Sequence, residues 1–157
     1  MKAARLAALW FALVSLSACA SVGLGHKKSE ENRVLNRAEH YCDYMRAKNS
    51  GNLYDLLTPP LRKSIKKSDY VKDADRLFKH FTYYCSNPKV VLIEKKVAVV
   101  QSDIRLVGVD INILDCRRTI WLRYPDGWYT EEDYGVCNSK LPSKDVVRII
   151  NESIPDR

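Results

Sequence analysis

Residues 116–137 read CRRTIWLRYPDGWYTEEDYGVC: two runs rich in aromatic and β-branched residues around Pro-Asp-Gly, with a cysteine at each end. Asp-Gly between such runs marks a β-hairpin, because a type I′ turn needs positive φ at both central residues. With Asp126-Gly127 as a two-residue loop, Pro125 faces Trp128 and Cys116 falls opposite Cys137. A three-residue loop, Pro125-Asp126-Gly127, shifts the register by one and sets Cys116 opposite Val136. Either register brings the two sulfurs within or close to bridging range. A bridge across a loop of this length stabilises a fold by roughly 3 kcal/mol and requires an oxidising compartment. The hairpin thus predicts both an antiparallel sheet and an exported chain.

The amino terminus makes the same prediction independently. MKAARLAALWFALVSLSACASVG has a charged start (Lys2, Arg5), an apolar run from Leu6 to Leu16, and small residues Ser17 and Ala18 before Cys19. That is the layout of a secretory signal, and the run is too short to stay in a bilayer as a spanning helix. Leu16-Ser17-Ala18-Cys19 resembles the lipobox of bacterial lipoproteins. The resemblance implies cleavage before Cys19 and acylation of its thiol and new amino group, with chains such as palmitate. Several chains on one residue anchor firmly, whereas one binds marginally. In a Gram-negative host, Ala20 in place of an aspartate implies transfer to the outer membrane, with the domain facing the periplasm.

Removing residues 1–18 from 157 leaves 139, one domain with room for a real core. Residues 19–29 form the lipidated cysteine and a short polar tether, and 30–157 the globular part. Besides Cys19 the chain has Cys42, Cys85, Cys116 and Cys137. Four cysteines allow three pairings. If 116–137 forms, the remainder is 42–85. A four-cysteine zinc site is the rival, but there is no C-x₂-C pair and the compartment is oxidising. No metal or other cofactor is expected.

From Glu30, Val34, Ala38, Tyr41/Cys42 and Met45 recur at helical spacing, and Asn49-Ser50-Gly51-Asn52 ends that helix with Gly51 as its C′ residue. A helical patch follows at Leu53–Leu57. Thr58 then caps a helix running to about Lys67, with proline in its first turn. Ser68 caps a third, whose inner face is Val71, Ala74, Leu77, Phe78 and Phe81. After Asn87-Pro88 the texture turns to strands: Val90–Glu94, Val97–Val107, Asp115–Tyr124 and Trp128–Val136. Ile104, Leu106, Ile111 and Ile113 alternate with polar residues, as on a sheet with one buried face. Ser143 caps a closing helix, Asp145–Ser153. Helices followed by an antiparallel sheet make an α+β protein.

Several of these pieces, in this order, resemble small NTF2-like (cystatin-like superfold) domains: the opening helix, Tyr54-Asp55-Leu56-Leu57-Thr58-Pro59-Pro60-Leu61-Arg62, Ser68-Asp69-Tyr70-Val71, and Trp121 before Asp126-Gly127-Trp128-Tyr129. The resemblance spans roughly residues 30 to 134. It implies N-terminal helices on a curved antiparallel sheet of about four strands, wrapped into a cone that can hold a cavity. The four cysteines and the segment after Val136 are not part of the general pattern.

Enzymes of that superfold, such as ketosteroid isomerases, place an aspartate or a His–Asp pair in the cavity. His26, His40 and His80 belong to no metal or triad spacing. Asp103 and Asp110 read as outer-face or turn residues, and in Glu131-Glu132-Asp133 neighbouring side chains point to opposite faces. No catalytic residue is assigned. The formal charge of +7 becomes +5 without Lys2 and Arg5. It is concentrated on Arg62, Lys63, Lys66, Lys67 and Lys72, a candidate patch for an anionic partner. Nucleic acid is not expected in an envelope compartment. The expected partners are the membrane, through the anchor, and an envelope protein. The leading reading is a non-catalytic envelope lipoprotein acting as an interaction or accessory module. A binder of a small apolar or amphipathic ligand in the cone is the alternative, and a ketosteroid-isomerase-like enzyme comes third.

Overall fold

The sheet announced by the hairpin has four antiparallel strands in sequence order, β1 (Thr82–Glu94), β2 (Val97–Val107), β3 (Asn112–Tyr124) and β4 (Gly127–Val136). The helices before it are α1 (27–46), α2 (Ser50–Asp55), α3 (Pro59–Ser64) and α4 (Lys67–His80), and α5 (Lys144–Ser153) closes the chain. The computed structural model describes residues 27–154, apart from the side chains of 132–134. The signal, the lipobox with Cys19, and His26 lie outside the described residues. The chain divides into two compact units, Met1–Asn32 and Arg33–Arg157. The second unit carries the sheet and everything below.

The expected α+β architecture is present, with helices packed on an antiparallel sheet and a short closing helix. Alternation along the strands sends the two sets of side chains to opposite faces. On the inner face Ala98, Val100 and Trp121 pack against Val34 and Ala38 of α1, with Leu56 and Trp128 completing the cluster. On the outer face Val97 and Leu122 pack under Val147 and Ile154, the apolar side of α5. Ser143 caps α5 by accepting from the Val146 amide, as its type and position predict. The free edge of β4 is closed by the segment after α2: Thr130 N donates to the Leu56 carbonyl at 2.8 Å, and Thr58 N to the Thr130 carbonyl at 3.2 Å. Open edges invite pairing with other chains, so this short contact protects the sheet.

Both pairings of the four cysteines are formed. Cys42–Cys85 ties α1 to β1 with Cα atoms 4.8 Å apart, and Cys116–Cys137 joins β3 to the chain leaving β4 at 5.3 Å. The hairpin register is more intricate than either sequence alternative. At the tip Tyr124 pairs with Gly127 and Arg123 with Trp128, so the loop is Pro125-Asp126 rather than Asp126-Gly127. Irregularities on both sides of Thr119 then move the pairing to Arg118 opposite Gly135 and Arg117 opposite Val136. The shift restores the register that sets Cys116 against Cys137, and the Cys137 amide donates to the Cys116 carbonyl at 2.9 Å. Gly135 sits at the end of the irregularity with φ +143°, a backbone that side-chain-bearing residues rarely adopt.

Several element boundaries differ from expectation. Gly51 is not the C′ residue of α1. The left-handed residue there is Lys48 (φ 54°), and Gly51 lies inside α2, which Asn49 caps by accepting from the Asn52 amide. Lys66, not Ser68, precedes α4, and of the expected inner stripe only Phe78 is buried while Leu77 is 49% exposed. Thr58 does precede α3, but its hydroxyl makes no cap bond and donates to Glu131 instead. Asn87-Pro88 does not open the sheet. β1 starts at Thr82, and Asn87, at φ 52°, sits in an irregularity between Ser86 and Lys89 where proline is tolerated.

Candidate functional site

The inner face of the sheet is one continuous surface with two fates. Pairing aligns Ala98 with Trp121, Val100 with Thr119, Ser102 with Arg117, Ile104 with Asp115 and Leu106 with Ile113. The first of these rows is fully buried beneath α1. Val100 in the second row is buried as well, and the rows from Ser102 onward are not covered. Together with Tyr41 and Met45, one helical turn apart on α1, and with Tyr83 on β1, they line a cleft of about 350 Å³. That volume is in the range of small-molecule sites. Ile113 is half exposed there, so the alternation of Ile104, Leu106, Ile111 and Ile113 marks a cleft wall rather than the buried face expected.

The wall is largely apolar, from Tyr41, Met45, Tyr83, Ile104, Leu106 and Ile113. Tyr41 meets Trp121 edge-on at 6.2 Å, which joins the cleft floor to the packed core. Tyr83 is held edge-on against Phe78 at 5.6 Å, and burial pushes its phenol above the ordinary range. It stays neutral, a hydroxyl able to donate, and no hydrogen bond engages it among the described residues. The polar floor is made by Ser102, Thr119, Asp115 and Arg117. Arg117 Nε donates to Asp115 Oδ2 at 2.8 Å, so one carboxylate and one guanidinium balance each other. Thr119 Oγ1 accepts from the Trp121 indole at 2.9 Å. Cys42–Cys85 lies alongside, buried, and holds α1 at this distance from the sheet.

The residues weighed for chemistry do not gather in the cleft. His40 is exposed and stacks on Tyr44, and His80 is exposed beside Phe81. Asp103 accepts from the Asn87 amide on the outer side, Asp110 stands in the exposed β2–β3 connection, and Glu131 accepts from Thr58. The side chains of Glu132 and Asp133 lie outside the described ones. The basic patch is divided. Lys67 is paired with Asp55 at 2.8 Å, Lys72 lies among Asp73, Asp75, Arg76 and Lys79, Lys63 and Lys66 stand in solvent, and Arg62 turns inward over Tyr129. Cleft residues Ser102, Asp115 and Arg117 were not singled out in the sequence. The available signal was their place in the same period-2 series as Ile104 and Ile113. Among the described residues no group of three or more His, Cys, Asp or Glu could hold a metal, and no helix is long and apolar enough to cross a membrane.

No family model matches the sequence, and no curated protein matches it. Among solved structures the chain is similar to one from Novosphingobium aromaticivorans, provisionally named an aromatic ring hydroxylase. The two are 12% identical with a TM-score of 0.49, over 65% of this chain and 84% of the other. A likeness this distant says nothing about activity, and the fold is described by the chain's own topology.

Proposed function

We propose that this chain is an exported, lipid-anchored envelope protein whose cleft binds a small amphipathic molecule, and that it acts as a binding or accessory module rather than as an enzyme. The observation that carries the reading is the cleft of about 350 Å³, with an apolar wall and a charge-balanced polar floor. A ring or short chain would lie along Ile104, Leu106 and Ile113, with a hydroxyl or carbonyl turned toward Ser102 or Tyr83. An acid–base role has less support, because Asp115 is bound to Arg117 and no histidine among the described residues lines the cleft. The anchor reading rests on Lys2, Arg5, the apolar run and Leu16-Ser17-Ala18-Cys19. The outer membrane follows from Ala20.

Native and denatured mass spectra of the chain recovered from an envelope fraction test the cleft. A reproducible extra mass, lost on denaturation and absent from an Ile104→Arg variant, is expected. A bare protein from every lipid and extract tried would overturn the ligand reading. Labelled palmitate tests the anchor separately: incorporation is expected in the parent and not in Cys19→Ala. A protein-partner reading is favoured by one observation, the exposed apolar end of the β2–β3 hairpin, where Val109 is 98% and Leu114 76% exposed. Cross-linking that depends on those two residues would move the proposal there.

A further inference from the structure

Four arginines have a carboxylate close by: Arg117 lies 2.8 Å from Asp115, Arg76 3.2 Å from Asp73, Arg148 3.4 Å from Glu152, and Arg46 pairs with Asp43. Arg105 and Arg118 donate instead to the Asn112 side chain and the Ser139 carbonyl, and Arg37 and Arg62 meet an aromatic ring. Arg37 Nε donates to the Trp128 carbonyl at 3.1 Å, and its guanidinium carbon lies 5.3 Å from the centre of the Tyr129 ring. The guanidinium carbon of Arg62 lies 5.0 Å from the same centre. Two like charges therefore share one aromatic ring. The neighbouring carboxylates are engaged by hydroxyls: Asp126 accepts from Tyr129 at 2.7 Å and Glu131 from Thr58 at 2.6 Å. Neither forms an ion pair with Arg37 or Arg62 among the described residues.

The fold holds this arrangement in place. The Tyr54 hydroxyl donates to both the Arg62 and Ile65 carbonyls, at 2.7 and 2.9 Å, and so fixes the end of α3. Tyr129 is only 7% exposed, while both arginines remain half-buried with an open side. Stacking on a ring orients a guanidinium without consuming its fork of donors. Lys63 and Lys66, from the same short segment as Arg62, are exposed.

We propose that Arg37 and Arg62 form the centre of a binding site for a phosphate-bearing anion, with Lys63 and Lys66 at its solvent rim. Guanidinium forks match phosphate oxygens in pairs, and a phosphate reaching them adds a counter-charge to two guanidiniums that form no ion pair among the described residues. The site is separate from the cleft and does not depend on it. The phosphate has two available sources, free phosphate and lipid head groups. If Cys19 is acylated, only about fourteen residues separate the bilayer from Arg33, which keeps head groups within reach.

Isothermal calorimetry on the full chain in maltoside micelles tests this. The titrants are inorganic phosphate, phosphatidylglycerol-doped micelles, and diacylglycerol-doped micelles as the phosphate-free control. Saturable binding is expected to one or both phosphate probes and not to diacylglycerol. Arg37→Gln and Arg62→Gln should each weaken it about tenfold or more, while Lys67→Gln, already paired with Asp55, should leave it unchanged. Phosphatidylglycerol binding about tenfold tighter than inorganic phosphate identifies the lipid head group as the source, and equal affinities identify free phosphate. No saturable binding to either, or binding that survives loss of both arginines, overturns the site. Should an arginine variant fail to fold, Lys63→Gln with Lys66→Gln decides instead. About threefold weakening supports the site, and no change overturns it.

Discussion

Two halves of one sheet face meet different environments in this molecule. Ala98, Val100 and Trp121 are sealed against α1, while four to eight residues further along the same strands Ile104, Arg117 and Ile113 line an open cleft. Aliphatic side chains occur in both, but Ser102, Asp115 and Arg117 interrupt them in the open half. Cover differs as well. Val34 and Ala38 lie flat over the first half, whereas Tyr41 and Met45 stand at the wall of the second. The lesson is that an alternating strand pattern reports a face and not its burial. One face of a sheet can hold a core at one end and a site at the other.

The sharpest way to break the comparison is to truncate each half. Trp121→Ala, in the sealed half, should cost about 3–5 kcal/mol of stability by urea unfolding, leaving a cavity that cannot collapse. A loss below 1 kcal/mol would mean the core lies elsewhere. Next are the two bridges, one beside the cleft and one on the far side of the sheet. With 43 and 21 residues between partners, chain entropy assigns about 4 kcal/mol to Cys42–Cys85 and about 3 kcal/mol to Cys116–Cys137. Paired Cys→Ala variants measure both. Only loss of the first should also perturb ligand retention, since it sets the spacing of α1 from the sheet.

Ile113→Ala is the counterpart in the open half. Being half exposed, it should cost about 1 kcal/mol or less, yet abolish retention of any cleft ligand. The reverse pattern, a large stability loss with retention intact, would make the cleft part of the core. The smallest effect is ionisation. Burial raises the phenols of Tyr83, Tyr124 and Tyr129, with Asp126 adding to the rise at Tyr129 and Arg62 and Arg37 opposing it. A raised acid holds its proton more tightly in the folded state. That contribution is therefore fully present below about pH 10 and lost as pH climbs through the folded values. Absorbance at alkaline pH should show these three titrating above the ordinary phenol range, and Arg62→Gln should delay Tyr129 further.

Local chemistry made much of the fold legible. Ser143 caps the helix its side chain suits, and the strand cores from Val97 and from Trp128 lie where β-branched and aromatic residues place them. Even the bridge between Cys116 and Cys137 was readable from the hairpin, although the turn itself is displaced and later irregularities compensate. The basic patch was legible only as composition. Its lysines and arginine are five charges in a row of text, and the fold sends them to Asp55, to solvent and to the Tyr129 ring.

By itself the amino-acid order determined the sheet, the helices and which cysteines could meet, because those depend on period, caps and turns that act over a few residues. The cleft, the balance of Asp115 by Arg117, and the meeting of Arg37 and Arg62 at the Tyr129 ring were decided only in three dimensions. Each joins positions that neither propensity nor spacing couples, and each depends on how far along the sheet α1 continues to cover it.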